Sequence, residues 1–409
     1  MKKRVLLVTT VSGFIPQFEM NNVRILQSMG YEVHYASNYH IPSYGDDNHR
    51  LDGTGIIRHQ VDFVRSPFNY NNFVVYRQLS ALMRQIPFDL IHCHTPMGAV
   101  MARLASHATH TGPVVYTAHG FHFYRGASPI HWLCYYPMER VLSRYTDQLL
   151  CINQEDYKCA KETFHAKYID YIPGVGIDLT KISEHDESFL KRKKAEIGVP
   201  DDRIIVLSSG ELIKRKNHET VIRAMALLQK QGKINTFNTH HIHYVICGHG
   251  KLEADLKKLV HKLGVSGMVT FTGYREDMLD VYQMADVFLF PSYQEGLPMA
   301  LLEAMACGLP VICSDIRGCR DLMGNMQSET KELRICSGGI MIKKVNDVKA
   351  YGYALLRLLD NSDLCGLKNI GYNNKIRSRK FSLETVDRAM RKVYQRLEQE
   401  TQKSMEIKS

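Results

Sequence analysis

Short apolar runs alternate along the chain with longer segments in which apolar positions recur every three or four residues. In the first part the runs are "RVLLVTT", "YEVHYAS", "LIHCHT", "GPVVYTAHG" and "DQLLCIN", with a helical pattern around "NNVRILQSMG" between the first two. Strands covered by helices on both faces require continuous hydrophobic runs, so this rhythm predicts a doubly wound, parallel α/β domain. "YIPGVGID" follows at Tyr171 to Asp178, a Pro/Gly hinge leading into the charged segment "HDESFLKRKKAEIGVPDDR". The rhythm then resumes with "IIVLSSG", "HYVICGHG", "MVTFTG", "VFLFPS" and "PVICSD", which predicts a second domain of the same kind.

In "SLETVDRAMRKVYQRLEQE" the apolar residues Leu383, Val386, Met390, Val393 and Leu397 recur at helical intervals among charges. This terminal amphipathic helix is expected to pack back, with "TQKSMEIKS" as a frayed tail. The expected division is residues 1–175 with helix 380–409 returning to them, and residues 176–379. A chain of 409 residues also exceeds what one hydrophobic core usually supports.

Charge changes the picture only in outline. Lys and Arg outnumber Asp and Glu by 52 to 42, a formal charge of +10. That balance attracts nucleic acid, anionic lipid or phosphorylated small molecules without choosing among them. The basic residues are dispersed and the aromatics form no RNA-binding signature, which argues against nucleic acid. Ten cysteines without a CxxC pair suggest neither a zinc ribbon nor a disulfide framework, and read as reduced thiols in a cytosolic protein. The apolar run in "MKKRVLLVTTVSGF" falls short of a signal-peptide core, and no segment approaches the ~20 apolar residues of a membrane span.

Open α/β sheets bind ligands beyond the carboxyl ends of their strands, so the residues after each run are the informative ones. In the second domain these are "GELIKRKNH", "GHG" with Gly248 and Gly250, "GYRED" with Arg275, and "PSYQEGLP". Pro298 suits a first helical turn and Gly308 the residue that closes the helix. Gly296, Leu297 and Met299 then lie at a helix start whose free amides and positive dipole end favour a diphosphate. Glu295 precedes that start and Glu303 lies eight positions later, inside the helix. Carboxylates accept hydrogen bonds from hydroxyls, so a diphosphate flanked by sugars would engage both; a surface helix with two solvated glutamates is the competing reading. Lys214, Arg215 and Lys216 follow a strand and a glycine, where cations can neutralise a leaving diphosphate or form a solvated surface.

In the first domain Gly13 follows the first strand, as a binding loop or a simple turn. His119 ends the strand "PVVYTAHG". His92 and His94 in "HCHT" share a strand face and could be a metal-site fragment, but no third ligand stands at a suggestive spacing and no DxD pair is present. Satisfied structural histidines are the expectation there, with no metal or other cofactor.

"PSYQEGLPMALLEAMACGLPVICSD" resembles the EX7E element of the GT-B glycosyltransferases of family 4, with Glu295 and Glu303 in register. "SGF", "HCHTP", "TAHGFHFYRGA", "PGVGID", "GELIKRKNHE", "CGHG" and "FTGYRED" resemble that family too, so the likeness runs from Val5 to Tyr394. "TAHGFHFYRGASPIHWLCYYPMERVLSRYTD" and "SDIRGCRDL" resemble bacterial capsule and exopolysaccharide assembly enzymes in particular. The resemblance implies two Rossmann-like domains facing across a cleft, and a retaining, metal-independent transfer of a sugar from a nucleotide diphosphate donor, UDP by the family's commonest usage.

Position by position, it implies that Glu303 binds the donor ribose, Glu295 the transferred sugar and Lys216 the phosphate, while backbone around Gly296 to Met299 holds the diphosphate. His119 matches the histidine near the transferred sugar. Glu211 stands where the family often has arginine, leaving Arg215 or Lys214 to supply that charge. No catalytic nucleophile is implied.

"FHFYRGASPIHWLCYYPMERVLSRY" interleaves Phe121, Phe123, Tyr124, Trp132, Tyr135 and Tyr136 with Arg125, Arg140 and Arg144. Such a mixture suits a membrane headgroup region, or a helix pair packed under the sheet. "NNFVVYRQLSALMRQIPF" is amphipathic with the same two readings. The resembled enzymes act on undecaprenyl diphosphate sugars. The expected protein is therefore cytoplasmic, peripheral on the inner face of a bacterial plasma membrane, and acts on a lipid-linked acceptor. A nucleotide-sugar epimerase of the same fold is the alternative.

Overall fold

The computed structural model describes residues 2–44, 48–232, 241–360 and 364–406. In the N-terminal part the strands are β1 (Lys3–Val11), β2 (Tyr31–Asn38), β3 (Ile57–Gln60), β4 (Leu90–Cys93), β5 (Val114–Ala118), β6 (Gln148–Cys151) and β7 (Tyr168–Tyr171). They pair in the order β3-β2-β1-β4-β5-β6-β7, each pair parallel. Helices α1 (Met20–Ser28), α2 (Asn71–Gln85), α3 (Pro96–Thr109), α4 (Pro129–Leu142) and α5 (Gln154–Thr163) connect them. Val5, Leu6, Leu7 and Val8 are fully buried because successive side chains on β1 enter opposite layers. Leu6 and Val8 share a core with Val75, Leu79, Ala99 and Ala102 of the covering helices. β3 is an exposed edge strand that no apolar run announces.

The charged segment after the hinge folds as α6 (Glu187–Ile197), capped where Asp186 accepts from the Phe189 amide at 2.7 Å. Next come β8 (Arg203–Ser209), α7 (His218–Lys230), β9 (His241–Cys247), α8 (Glu253–Lys262), β10 (Val269–Gly273), α9 (Met278–Gln283) and β11 (Val287–Phe290). α10 (Met299–Ala306), β12 (Val311–Ser314), α11 (Arg317–Met323), β13 (Met326–Glu329), β14 (Leu333–Cys336), β15 (Gly339–Ile342), α12 (Val348–Asp360) and α13 (Leu364–Ser378) complete this part. The sheet order is β10-β9-β8-β11-β12-β15-β14-β13. It is parallel as far as β15, after which β14 and β13 add antiparallel strands that the apolar rhythm does not predict.

α14 (Leu383–Glu406) buries Val386, Met390, Val393 and Leu397, the stripe marked by the sequence. It returns to the first sheet, where Lys3 pairs with Glu398 at 2.8 Å and the Tyr394 hydroxyl meets His92 Nδ1 at 2.9 Å. The frayed tail is corrected in part: Thr401 to Glu406 continue the helix, and residues 407–409 lie outside the described residues. The chain divides into two units, Met1–Gly176 with Glu384–Ser409, and Ile177–Leu383.

Among the described residues no helix is long and apolar enough to cross a membrane. Cys93, Cys247, Cys313, Cys319 and Cys336 are buried thiols outside any disulfide. Among the parallel strands of each sheet the order reverses between β1 and β4 in the first and between β8 and β11 in the second. The crevice beyond the carboxyl ends of such a strand pair is where open α/β sheets take their ligands.

Candidate active site

In the Ile177–Leu383 unit both strands at the reversal point lead directly into charged residues. β8 is followed by Gly210, whose φ of +143° suits a residue without a side chain. The chain then makes a one-turn 3-10 helix, Lys214–Lys216. Asn217 holds this turn: in left-handed conformation (φ +57°), it donates from Nδ2 to the carbonyls of Pro291 and Val345, both at 3.0 Å. Its Oδ1 accepts from the Thr220 hydroxyl at 2.7 Å. The Lys216 stem lies over Gly210, where an added Cβ would come 3.2 Å from Lys216 Cε.

β11 ends at Phe290 and the chain runs through Ser292 to Glu295, whose Oε1 accepts from Lys216 Nζ at 2.8 Å and Arg215 Nη1 at 2.7 Å. Arg317, 4% exposed, donates from Nε to the Glu295 carbonyl at 2.9 Å and so fixes the backbone there. Burial pushes the Glu295 carboxyl up, and the Lys216 and Arg215 cations outweigh it, holding the group below its ordinary value. The sequence brought Glu295, Arg215 and Lys216 forward separately; the structure joins them in one ion cluster.

α10 begins at Met299, with Pro298 as the flanking N-cap rather than the first helical residue. Gly308 (φ +84°) closes it, its amide donating to the Met305 carbonyl at 3.0 Å and that of Leu309 to Ala304 at 3.0 Å. The first amides of such a helix have no intrahelical acceptor, which leaves this terminus suited to an anion. Gly296 packs by its carbonyl against Gly318, where a Cβ would sit 2.1 Å away, and Leu297 is buried.

Glu303 lies a turn into α10, its Oε2 accepting from the Tyr282 hydroxyl at 3.2 Å. Tyr282 in turn meets the Ser209 hydroxyl, at the end of β8, at 2.8 Å. Burial lifts the Glu303 carboxyl to about 7 against the opposing hydrogen bond from Tyr282. Asn217, Tyr282 and Arg317 escape sequence reasoning, because a lone polar residue inside a helical or loop pattern announces no partner.

Other expected residues have partners of their own. Arg275 forms a bidentate pair with Asp277, at 2.7 and 2.5 Å, and reaches Glu196 at 2.5 Å. Lys193 joins Asp277 at 2.8 Å, so Arg275 is committed to tying β10 to α6. Gly248 and Gly250 are glycines for packing: added Cβ atoms would lie 2.1 Å from the Gly210 carbonyl oxygen and 2.5 Å from Leu212 backbone. Gly13 likewise fits under the Ser43 carbonyl, 1.9 Å from an added Cβ, and donates its amide to Pro42 at 2.8 Å. Glu211 is exposed, as is Lys214.

In the other unit, the ends of β4 and β5 carry His94 and His119. A one-turn π-helix, Ile15–Glu19, follows β1 and brings in Glu19. His94 Nδ1 lies 3.2 Å from His119 Nε2, and Glu19 Oε1 lies 3.6 Å from the first and 3.2 Å from the second. The expectation that no third ligand accompanies "HCHT" is thereby corrected for His94. Its partners come from distant segments that sequence spacing cannot reveal. His92 is the satisfied structural histidine, bonded to Tyr394 and, at 2.8 Å, to the Thr117 hydroxyl. Burial, helped by nearby His119, pushes His92 down to about 3.

Residues 190–376 match the family of glycosyl transferases group 1, and residues 4–153 match the glycosyl transferase 4-like family. The chain is similar to EpsD of Bacillus subtilis (strain 168), named as a glycosyltransferase, at 33% identity over 96% of this chain and 97% of that one. It is also similar to an Escherichia coli UDP-Gal:alpha-D-GlcNAc-diphosphoundecaprenol alpha-1,3-galactosyltransferase, at 29% identity over 70% of each chain. Among solved structures, Anabaena Alr3699/HepE in complex with UDP and glucose has a TM-score of 0.72 at 16% identity, covering 97% of this chain and 100% of that one. Sucrose-phosphate synthase from Thermosynechococcus elongatus gives 0.73 at 19% identity, covering 97% and 99%. The two Rossmann-like sheets and the relative matched over nearly its whole length agree: this chain belongs to the GT-B glycosyltransferases and resembles the enzymes of exopolysaccharide assembly.

Proposed function

We propose that this glycosyltransferase moves a hexose, with retention of anomeric configuration, from a UDP-sugar to an undecaprenyl-diphosphate-linked saccharide during exopolysaccharide or capsule assembly. The observation that carries the reading is the ion cluster of Glu295 with Lys216 and Arg215 beside the start of α10, with Glu303 one turn further in. A UDP donor is in keeping with the complexes of the HepE neighbour with UDP and glucose. A diphosphoundecaprenol acceptor is in keeping with the named activity of the Escherichia coli relative.

In this reading the diphosphate lies at the α10 amides. Lys216 and Arg215 exchange their contact with Glu295 for the phosphate oxygens and stabilise the negative charge that grows as the nucleoside diphosphate departs. Glu303 accepts the ribose hydroxyls and Glu295 those of the transferred sugar, and His119 keeps the role beside that sugar which the family resemblance implies. The acceptor hydroxyl attacks the anomeric carbon and its proton leaves with the diphosphate or to solvent. The diphosphate is neutralised by these cations without a metal, and no side chain is assigned as nucleophile.

Peripheral attachment to the cytoplasmic face of the membrane is part of the proposal. Phe121 and Phe123 are buried in the core, which settles those two aromatics as packing residues. Ile130, Leu133 and Val141 of α4 are 63%, 76% and 49% exposed, beside exposed Arg140 and Arg144. Phe68, Tyr70 and Phe73, around the start of α2, are exposed as well.

The test is a panel of nucleotide sugars offered with an undecaprenyl diphosphate sugar, with products followed by mass spectrometry and the new anomeric centre by NMR. Mass addition of one hexose from a UDP donor, with the donor's configuration kept, is expected. Epimerised donor formed without acceptor, or an inverted linkage, overturns the proposal.

A further inference from the structure

We propose that Glu19, His94 and His119 bind one divalent transition-metal ion, of which Zn2+ is the best match. Their mutual distances of 3.2, 3.6 and 3.2 Å form a nearly equilateral triangle of two imidazole nitrogens and one carboxylate oxygen. A tetrahedral ion at about 2.0–2.1 Å from each ligand produces ligand-to-ligand edges of about 3.3–3.4 Å. The triangle has that size before any ion is added.

A proton shared within the cluster accounts for less. Two ring N–H groups donated to Glu19 Oε1 would set two donors facing each other 3.2 Å apart along the Nδ1–Nε2 edge, whereas a central cation is shared by all three atoms. The setting also favours a cation: Glu19 is 3% exposed and His94 fully buried, so the carboxylate charge lies where water does not solvate it. The other Glu19 oxygen, Oε2, accepts from the Asn22 amide, which turns Oε1 toward the histidines. His94 Nε2 meets no partner, so the ring's hydrogen bonding lies on the Nδ1 side that faces the cluster, without the acceptor that usually stands behind a ligating imidazole.

The donor set of two histidines and one carboxylate is selective for Zn2+ and its first-row neighbours over Mg2+ or Ca2+, which prefer oxygen. Three protein ligands leave a fourth position, and His119, whose side chain is 20% exposed, marks its open side. Phe14 closes another side, its ring edge-on to His119 at 4.9 Å between centroids. That open position would take water or a sugar hydroxyl. The cluster belongs wholly to the Met1–Gly176 unit, shares only His119 with the donor-site reading, and concerns no metal on the diphosphate.

The test uses the full chain without a histidine tag. Metal content of the purified protein is measured by mass spectrometry of the elements. After EDTA treatment and dialysis, Zn2+ is titrated by calorimetry and Co2+ by the visible bands of its tetrahedral form. One tight equivalent is expected, with affinity lowered at least about 10-fold in Glu19→Gln and in His94→Ala, and unchanged in His261→Ala, an exposed histidine elsewhere. If His94→Ala fails to fold by thermal melting, Glu19→Gln and His119→Ala decide. The absence of a stoichiometric site, or affinity unchanged in the variants that fold, overturns the proposal.

Discussion

At the scale of single residues, Glu303 carries the sharpest expectation. Its buried carboxyl is lifted from the ordinary 4.5 to about 7, so it is largely protonated at pH 6 and ionised at pH 8. An ionised acceptor binds ribose hydroxyls more strongly than a neutral one, so the affinity for the UDP-sugar should rise between these values. Glu303→Gln should bind roughly 10-fold more weakly at pH 8 and abolish that rise, as measured by calorimetry across pH. Stability runs the other way. A carboxyl raised on folding favours the fold fully below 4.5 and loses that contribution as pH climbs to about 7. Glu303→Gln should therefore gain stability relative to the parent over that interval, by on the order of 2–3 kcal/mol in denaturant titrations. Lys216 is the complementary case: Lys216→Ala removes the half-buried cation beside Glu295 and should lower kcat about 100-fold, with a smaller change in KM. The two glutamates and the lysine were legible because a helix start flanked by carboxylates is a local pattern. Arg275 looked equally exposed to chemistry in "GYRED", yet Asp277, two residues on, and Glu196, far back in the chain, take its guanidinium. Gly13, Gly248 and Gly250 were legible as unusual positions, but the reason is the backbone passing over each of them, and that requires the fold.

At the scale of elements, the period of the apolar runs fixed most strands because a parallel strand buried on both faces has no other pattern available. It missed β3, whose residues are mostly exposed, β7, where "YIDY" is only partly buried, and the last three strands β13, β14 and β15, of which "MQSE" has no apolar run. It also placed the start of α10 one residue early, because proline fits both the N-cap and the first turn. The element that matters most to the site is the short turn Lys214–Lys216, which no periodicity marks. Asn217 supports it by two hydrogen bonds to the Pro291 and Val345 carbonyls. Asn217→Ala leaves these acceptors without their donor and strains the left-handed backbone, so it should cost about 2–3 kcal/mol. Asn217→Gly keeps the backbone conformation and loses only the hydrogen bonds. Calorimetric melting should order the three proteins as parent, then Gly, then Ala, and donor KM should rise in the same order as Arg215 and Lys216 lose their fixed place.

At the scale of the whole molecule, the proposed function raises the question of how an enzyme without a described membrane-crossing helix would meet a lipid-anchored acceptor. The +10 formal charge provides long-range attraction to an anionic surface, and screening by salt must weaken it. On the proposed membrane attachment, the exposed apolar side chains of α4 would provide the short-range part, since Ile130 and Leu133 at 63% and 76% exposure have little to lose by entering the headgroup boundary. The sequence already contained both ingredients but could not separate buried aromatics from exposed ones, because Phe121, Phe123 and Trp132 lie in one continuous apolar and aromatic stretch. Burying one such aliphatic side chain is worth about 1.5–3 kcal/mol, so replacing two removes about 3–6 kcal/mol and should lower membrane partitioning by roughly 100-fold or more. Ile130→Ser with Leu133→Ser should accordingly lose sedimentation with vesicles containing anionic lipid, and raising salt should release the parent protein in part. The same double variant should keep full transfer to a short-chain, water-soluble acceptor while losing transfer to undecaprenyl acceptor held in vesicles. Equal loss on both acceptors would mean that these residues support the fold, and no loss on either would remove α4 from the membrane contact.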